Sequence, residues 1–142
     1  MLEKIVNILL VEDDYLDVMD VERNLKKINV LHKLYVARNG EEALAMLRGG
    51  GAETIDPLPS LIMLDINMPK MNGIEFLQEL RQDPALKHIK VFIMTTSDHE
   101  EDRSAAQELG ISGYIVKPLK FSNKFSATDS FNLFIDLLNL KK

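Results

Sequence analysis

The chain has no cysteine, which removes disulfides and thiolate chemistry from consideration and says little about compartment. It also lacks any dense run of lysine and arginine. Its 22 acids outnumber its 17 bases, for a formal net charge of −5, which argues against a primary binder of nucleic acid or of an anionic membrane. Long hydrophobic runs are missing as well. The opening MLEKIVNILLVEDD is apolar over too few residues to span a bilayer, and acids follow at once, so neither a spanning helix nor a signal peptide is expected and the cytoplasm is the default. No internal repeat is visible and no change of composition separates a second domain. What is present is enough for one folded unit: 142 residues, of which 46% are apolar, can bury a real core.

Five short apolar runs are rich in branched side chains: Ile5–Val11, Leu34–Val36, Leu61–Leu64, Val91–Met94 and Tyr114–Val116. Between them lie stretches with helical spacing. Val18, Val21, Leu25 and Ile28 make the first stripe. Ala43, Leu44 and Leu47 follow Asn39, which has Glu42 three residues on. Ile74, Phe76, Leu77 and Leu80 follow Asn72-Gly73, and Ala105, Ala106 and Leu109 follow Ser97, whose Ser-Asp-His-Glu start has the pattern of a capping box. Phe131, Phe134, Ile135 and Leu138 make the last stripe. Strand and helix alternate five times, which predicts βαβ units and a parallel sheet covered on both faces.

The strand ends carry the chemistry. The first run closes in Glu12-Asp13-Asp14, the third in Asp65, the fourth in Thr95-Thr96 and the fifth in Lys117-Pro118. In an open parallel sheet all carboxyl ends meet at one edge, and ligands bind there where the strand order reverses. With a strand order of 2-1-3-4-5, Glu12 and Asp13 face Asp65 across a crevice flanked by Thr95 and Lys117. Each pair of like charges at ~4 Å costs about 4 kcal/mol at an effective dielectric of ~20. Lys117 offsets part of this. The rest calls for a hard divalent cation, and carboxylate oxygens with water suit Mg²⁺. A carboxylate beside Mg²⁺ and Lys⁺ is a poor general base. It is well placed to attack phosphorus, because the cations gather the phosphoryl oxygens as the bond forms.

In these residues the chain resembles the receiver domain of two-component response regulators. The matching features are Glu12-Asp13 after ILLV, Asp65-Ile-Asn-Met-Pro with Gly73 beyond it, Thr95 after VFIM, and Tyr114-Ile-Val-Lys117-Pro118. The resemblance covers about residues 5–120. It implies a flavodoxin-like, doubly wound (βα)5 sandwich with a five-stranded parallel sheet of order 2-1-3-4-5 and helices on both faces. The whole chain, 1–142, would then be one receiver domain with a variable loop and helix over 120–140. By resemblance Asp65 is the phosphoacceptor and takes its phosphoryl group from a sensor histidine kinase or a phosphotransfer protein. Asp13 and Asp65 become direct Mg²⁺ ligands, Glu12 reaches the ion through water, and the backbone carbonyl of Asn67 adds a ligand. Lys117 pairs with the phosphoryl group, Thr95 and Tyr114 form the switch pair, and the Lys117–Pro118 peptide is expected to be cis. No turnover of external substrates is expected beyond self-phosphorylation and autodephosphorylation. With no output domain recognisable after the receiver, the output is expected to be contact with another protein, as in stand-alone receivers of the chemotaxis and phytochrome-associated kinds. Three features depart from the family pattern: Glu12 where many relatives have Asp, a longer segment over 49–59, and a delayed last helix after Pro118.

Other residues have plainer readings. Asp14 suits the positive end of the first helix, or caps it with Asp17 three residues on. Thr96 and Ser97 read as turn and cap. His32, His88 and His99 stand singly in polar surroundings and read as solvated. Residues 49–59 read as a tolerated surface insertion. In the last helix Leu133, Leu137 and Leu140 form a second stripe opposite the first. Either it serves a homodimer or partner surface, or its leucines are scattered at a fraying end.

Two other functions use similar parts. Phosphatases of the haloacid-dehalogenase type also have an aspartate nucleophile with Mg²⁺, Thr or Ser, and Lys. They need a second Asp two residues after the first, where this chain has Asn67, and no Asp-x-Asp occurs anywhere in it. An unphosphorylated scaffold of the same fold has no reason to bear the repulsion of the acidic set. A flavodoxin would need a hydroxyl- and glycine-rich loop after the first strand.

Overall fold

In a computed structural model of the chain, residues 6–27, 32–49, 54–55, 58–66, 71–95 and 100–116 are described. Five strands alternate with four helices: β1 (Val6–Val11), α1 (Tyr15–Lys27), β2 (His32–Ala37), α2 (Gly40–Arg48), β3 (Leu61–Asp65), α3 (Gly73–Gln82), β4 (Lys90–Thr95), α4 (Glu100–Glu108) and β5 (Gly113–Val116). All pairings are parallel, in the order β2-β1-β3-β4-β5. The parallel sheet flanked by helices that the sequence predicts is therefore present. The expected helix over 131–138 falls outside the described residues.

The strands need no amphipathic pattern because helices lie on both faces. Side chains alternate across the sheet at a period of two. Leu9, Val11, Ile62, Leu64, Val91 and Ile93 join one core with Ala43, Leu44 and Leu47 of α2, Phe76, Leu77 and Leu80 of α3, and Ala106 of α4. Ile8, Leu10, Leu61, Met63, Phe92 and Met94 join the other with Val18, Val21 and Leu25 of α1. Burying such a side chain fully contributes about 1.5–3 kcal/mol, so the two layers hold the sheet from both sides.

Short polar residues set the helix starts. Asp14 caps α1: its carbonyl accepts from the Val18 amide at 3.0 Å and its Oδ1 from the Leu16 amide at 2.9 Å. Asn39 Oδ1 caps α2 by accepting from the Glu42 amide at 2.8 Å. Asn72 and Glu75 form a reciprocal capping box at α3, each side chain accepting at 3.0 Å from the other's amide. Gly49, at φ 81°, closes α2 in the left-handed conformation that suits glycine. The segment that follows is less superficial than its composition suggests. Ile55 is buried against the core shared by α2 and α3, and its amide donates to the Met46 carbonyl at 3.1 Å. Among the described residues of this glycine- and proline-rich segment, Ile55 supplies an apolar side chain to the core.

Strands run one or two residues beyond their apolar runs. His32 and Lys33 pair with Val6 and Asn7, and Lys90 pairs with Leu61. Backbone pairing at the sheet margin does not require an apolar side chain.

Candidate functional site

Register brings the strand ends together. Val11 pairs with Leu64, so the next residues, Glu12 and Asp65, stand side by side at the carboxyl edge. Asp65 pairs with Met94, just before Thr95, and Thr95 pairs with Val116, just before Lys117 in the sequence. Glu12 is fixed from two directions. Its amide donates to the Ala37 carbonyl at 2.8 Å, extending the β1–β2 ladder by one bond, and its Oε2 accepts from the Asp14 amide at 3.2 Å.

The result is a carboxylate cluster. One oxygen each from Glu12, Asp13 and Asp65 lies within 4.8 Å of the others. Glu12 is 1% and Asp65 5% exposed, while Asp13 faces solvent. Charges at that separation repel by about 3 kcal/mol per pair at an effective dielectric near 20, less where Asp13 is screened by water. Two buried carboxylates and one exposed one converge as hard oxygen donors with an open side. That donor set fits an oxygen-preferring divalent ion that keeps part of its water shell.

Glycine makes this rim possible. The Gly73 amide donates to the Ile66 carbonyl at 2.9 Å, bringing the start of α3 directly against the end of β3. A Cβ at position 73 would lie 2.6 Å from the Asp65 carbonyl oxygen and 2.6 Å from Ile66 Cα. No side chain larger than hydrogen fits between the helix start and the backbone that carries Asp65.

Of the residues singled out from sequence, Glu12, Asp13 and Asp65 are brought together. Asp14 turns away from them to cap α1. Thr95 closes β4, and Tyr114 on β5 pairs with Ile93, which places the two on neighbouring strands; their side chains lie outside what is described. Asn67, Thr96, Ser97, His99, Lys117 and Pro118 lie outside the described residues, as do Phe131 through Leu140. His88 is exposed in the turn after α3.

A cleft of about 480 Å³ lies at the opposite edge of the sheet, lined by Arg81, Lys87, His88, Lys90 and Glu108 among others. It is held together by a residue that the sequence reading passed over. Arg81 Nε donates to the Leu109 carbonyl at 2.7 Å, Nη1 to those of Lys87 and Ile89 at 2.9 Å each, and Nη2 to that of Gly110 at 3.0 Å. Desolvation lowers its pKa. The guanidinium ties the end of α3 to the end of α4 and to the entry of β4. Its position in the last turn of α3 marks it as a helix-end cation, but its acceptors lie in the α3–β4 turn and at the end of α4, which sequence spacing does not reveal.

Fold and site together define a doubly wound α/β protein with a cluster of acids, suited to a cation, at the carboxyl ends of its strands. The family model for the response regulator receiver domain matches residues 8–128, and the chain belongs to that family. The response regulator Rcp1 of Synechocystis is 39% identical over 127 residues, covering 89% of this chain and 86% of that protein. The crystal structure of its Mn(2+)-bound form superposes with a TM-score of 0.73 at 37% identity, over 95% of this chain and 91% of that one. A two-component response regulator from Legionella pneumophila gives a TM-score of 0.79 at 42% identity, over 94% of this chain and 98% of that one. The phosphorylated cyanobacterial phytochrome response regulator RcpA gives 0.74 at 34%, over 96% and 91%. The protein is thus a flavodoxin-like response regulator receiver of two-component signalling. Receiver domains of this kind bind a divalent metal and interact with histidine kinases or phosphotransfer proteins. Neither the phosphatase nor the scaffold reading is favoured. Among the described residues no helix is long and apolar enough to cross a membrane.

Proposed function

We propose that Asp65 is the phosphoacceptor of a stand-alone, cytoplasmic response regulator, with Mg²⁺ as the working ion. The observation that carries this reading is the convergence of Glu12, Asp13 and Asp65 at one rim of the sheet. Glu12, Asp13 and Asp65, with the Asn67 carbonyl, would hold the ion, which supplies positive charge to the phosphoryl oxygens. An Asp65 carboxylate oxygen forms the new bond to phosphorus. The bond from phosphorus to the histidine nitrogen of the donor breaks, and that nitrogen takes up a proton as neutral imidazole. Lys117 would pair with a phosphoryl oxygen while Thr95 bonds to another. Movement of Thr95 makes room for Tyr114 to swing inward and reshape the surface around α4 and β5.

The rest of the reading rests on sequence. The strands and helices complete a five-stranded (βα)5 domain over 1–142, with a cis Lys117–Pro118 peptide and a last helix within 120–140 whose second leucine stripe serves a homodimer or an output protein. Tyr15 and Leu16 are each 73% exposed in the first turn of α1, immediately after the acids, and offer apolar contact to a phosphodonor protein. The deciding experiment is incubation with Mg²⁺ and acetyl phosphate or phosphoramidate, followed by mass analysis. Wild type is expected to gain one phosphoryl group and Asp65→Asn none. Equal labelling of both would overturn the assignment of Asp65.

A further inference from the structure

We infer that Gly40, at the start of α2, is a positioning residue for the acidic rim and acts through the side chain of Met71; this rests on the reading of the rim as a metal-dependent phosphoryl acceptor. The Gly40 amide donates to the Met71 carbonyl at 3.2 Å. A Cβ at position 40 would lie 2.7 Å from Met71 Cγ, 2.8 Å from its Sδ and 3.0 Å from its Cβ. The methionine therefore occupies the space that any other residue at position 40 would claim. The two atoms nearer than 3.0 Å are Met71 Cγ and Sδ, and Met71 packs against the core shared by α2 and α3, so its outer side chain has to leave that seat to make room for a methyl group at position 40.

The contact leads to the site in two short steps. Met71 is followed by Asn72, fixed in its capping box with Glu75, and then by Gly73. Gly73 lies against the backbone of Asp65 and Ile66 with no room for a methyl group. A shift imposed on Met71 thus reaches the chain that carries Asp65. The start of α2 also adjoins the other half of the acidic cluster, because Ala37, three residues before Gly40, accepts the amide of Glu12 at 2.8 Å. The helix start is tied by one backbone hydrogen bond to the segment that leads into α3, and the strand that precedes it, β2, is tied by another to Glu12.

Gly40 is not held here by backbone conformation. It opens the helix and does not adopt the left-handed φ seen at Gly49 and Gly110. Alanine would satisfy the helix better than glycine does. The three atoms nearest to a methyl group at this position all belong to Met71, which makes the role separable from the helix propensity of α2.

The test compares wild type, Gly40→Ala and Gly40→Ala/Met71→Ala by Mg²⁺ calorimetry and by the rate of phosphorylation from acetyl phosphate. Gly40→Ala is expected to raise the Mg²⁺ dissociation constant roughly tenfold, the scale on which outer-shell changes act on metal sites, while melting cooperatively. The double variant is expected to return to within about twofold of wild type, because the clash is removed at its other partner. A Gly40→Ala protein that binds and reacts like wild type would overturn the inference, as would a double variant that is not restored. Should Gly40→Ala fail to fold, Met71→Phe puts a larger side chain into the same seat and carries the same expectation and the same refutation. A wild type that neither binds Mg²⁺ nor takes up phosphate would bring down the reading of the site, and the positioning role with it. A competent wild type with a silent Gly40→Ala brings down the positioning role alone.

Discussion

Glu12 Oε2 accepts a hydrogen bond from the Asp14 amide at 3.2 Å, so the first acid of the rim is oriented by the turn that follows it. The length of the glutamate side chain lets it fold back onto that turn while one of its oxygens stays with Asp13 and Asp65. Glu12→Gln keeps an oxygen for the Asp14 amide and removes the charge. The variant is expected to fold normally and to bind Mg²⁺ roughly tenfold more weakly, the magnitude typical of residues that support a metal site from just outside it. Calorimetric titration checks this, and affinity within twofold of wild type would mean that the Glu12 charge takes no part.

Asp13 tests the repulsion itself. It is the exposed member of the cluster, so replacing it with asparagine removes like charge without leaving a hole in the core. In a chelator, Asp13→Asn is expected to melt at least about 3 °C above wild type, since 1 kcal/mol moves the midpoint of a domain this size by roughly 2–8 °C. In millimolar Mg²⁺ the order should narrow or reverse, because wild type gains more from binding the ion. Scanning calorimetry under the two conditions decides. A variant that melts no higher than wild type in chelator would show that the acids do not strain the ion-free protein.

The strands and the acidic rim were legible in the sequence because both follow from local rules. Branched apolar runs at the right length became β1, β3 and β4, and acids directly after a buried run can only emerge at a strand end. Asn39 with Glu42 correctly announced α2. The same reasoning noted Asn72-Gly73 but missed its capping box with Glu75, which needs the pair read across the helix start. The contacts of Ile55, Met71 and Arg81 were not legible. Each joins residues whose meeting depends on tertiary packing: Ile55 with Met46, Met71 with Gly40, Arg81 with carbonyls up to 29 positions away. Hydrophobic periodicity reports which face of a helix is covered and is silent on which loop returns to cover it.

Asp83 offers a pH test away from the rim. The Ala85 amide, and after it the Arg48 guanidinium, hold the Asp83 carboxyl below its ordinary value of 3.8. A carboxyl whose pKa is lower folded than unfolded binds its proton less readily in the native state. Its contribution is therefore present above the unfolded value and lost as pH falls through the folded one. Carbon-13 NMR titration of the Asp83 carboxyl is expected to give a midpoint below 3.8 in wild type. Arg48→Ala should bring it part of the way back up, since the bond from Ala85 remains. A wild-type midpoint at or above the ordinary value would contradict the arrangement at the end of α3.

Arg81 separates stability from function. Its four bonds reach carbonyls of the α3–β4 turn and of the end of α4, on the edge of the sheet opposite the acids. Arg81→Ala leaves those carbonyls to water or to nothing, and the two bonds that are partly buried carry most of the penalty. The expected loss is about 2–3 kcal/mol, in line with removal of charged donors from partly buried acceptors. Arg81→Lys should recover less than half of it, because one ammonium cannot span acceptors that a planar guanidinium reaches in a fork. Urea denaturation measures both. The Mg²⁺ affinity of the folded variants should stay within about twofold of wild type, as expected for distant sites that share no partners. A large loss of ion binding with little loss of stability would show instead that the two edges of the sheet are coupled, and that the arginine does more than join the ends of two helices.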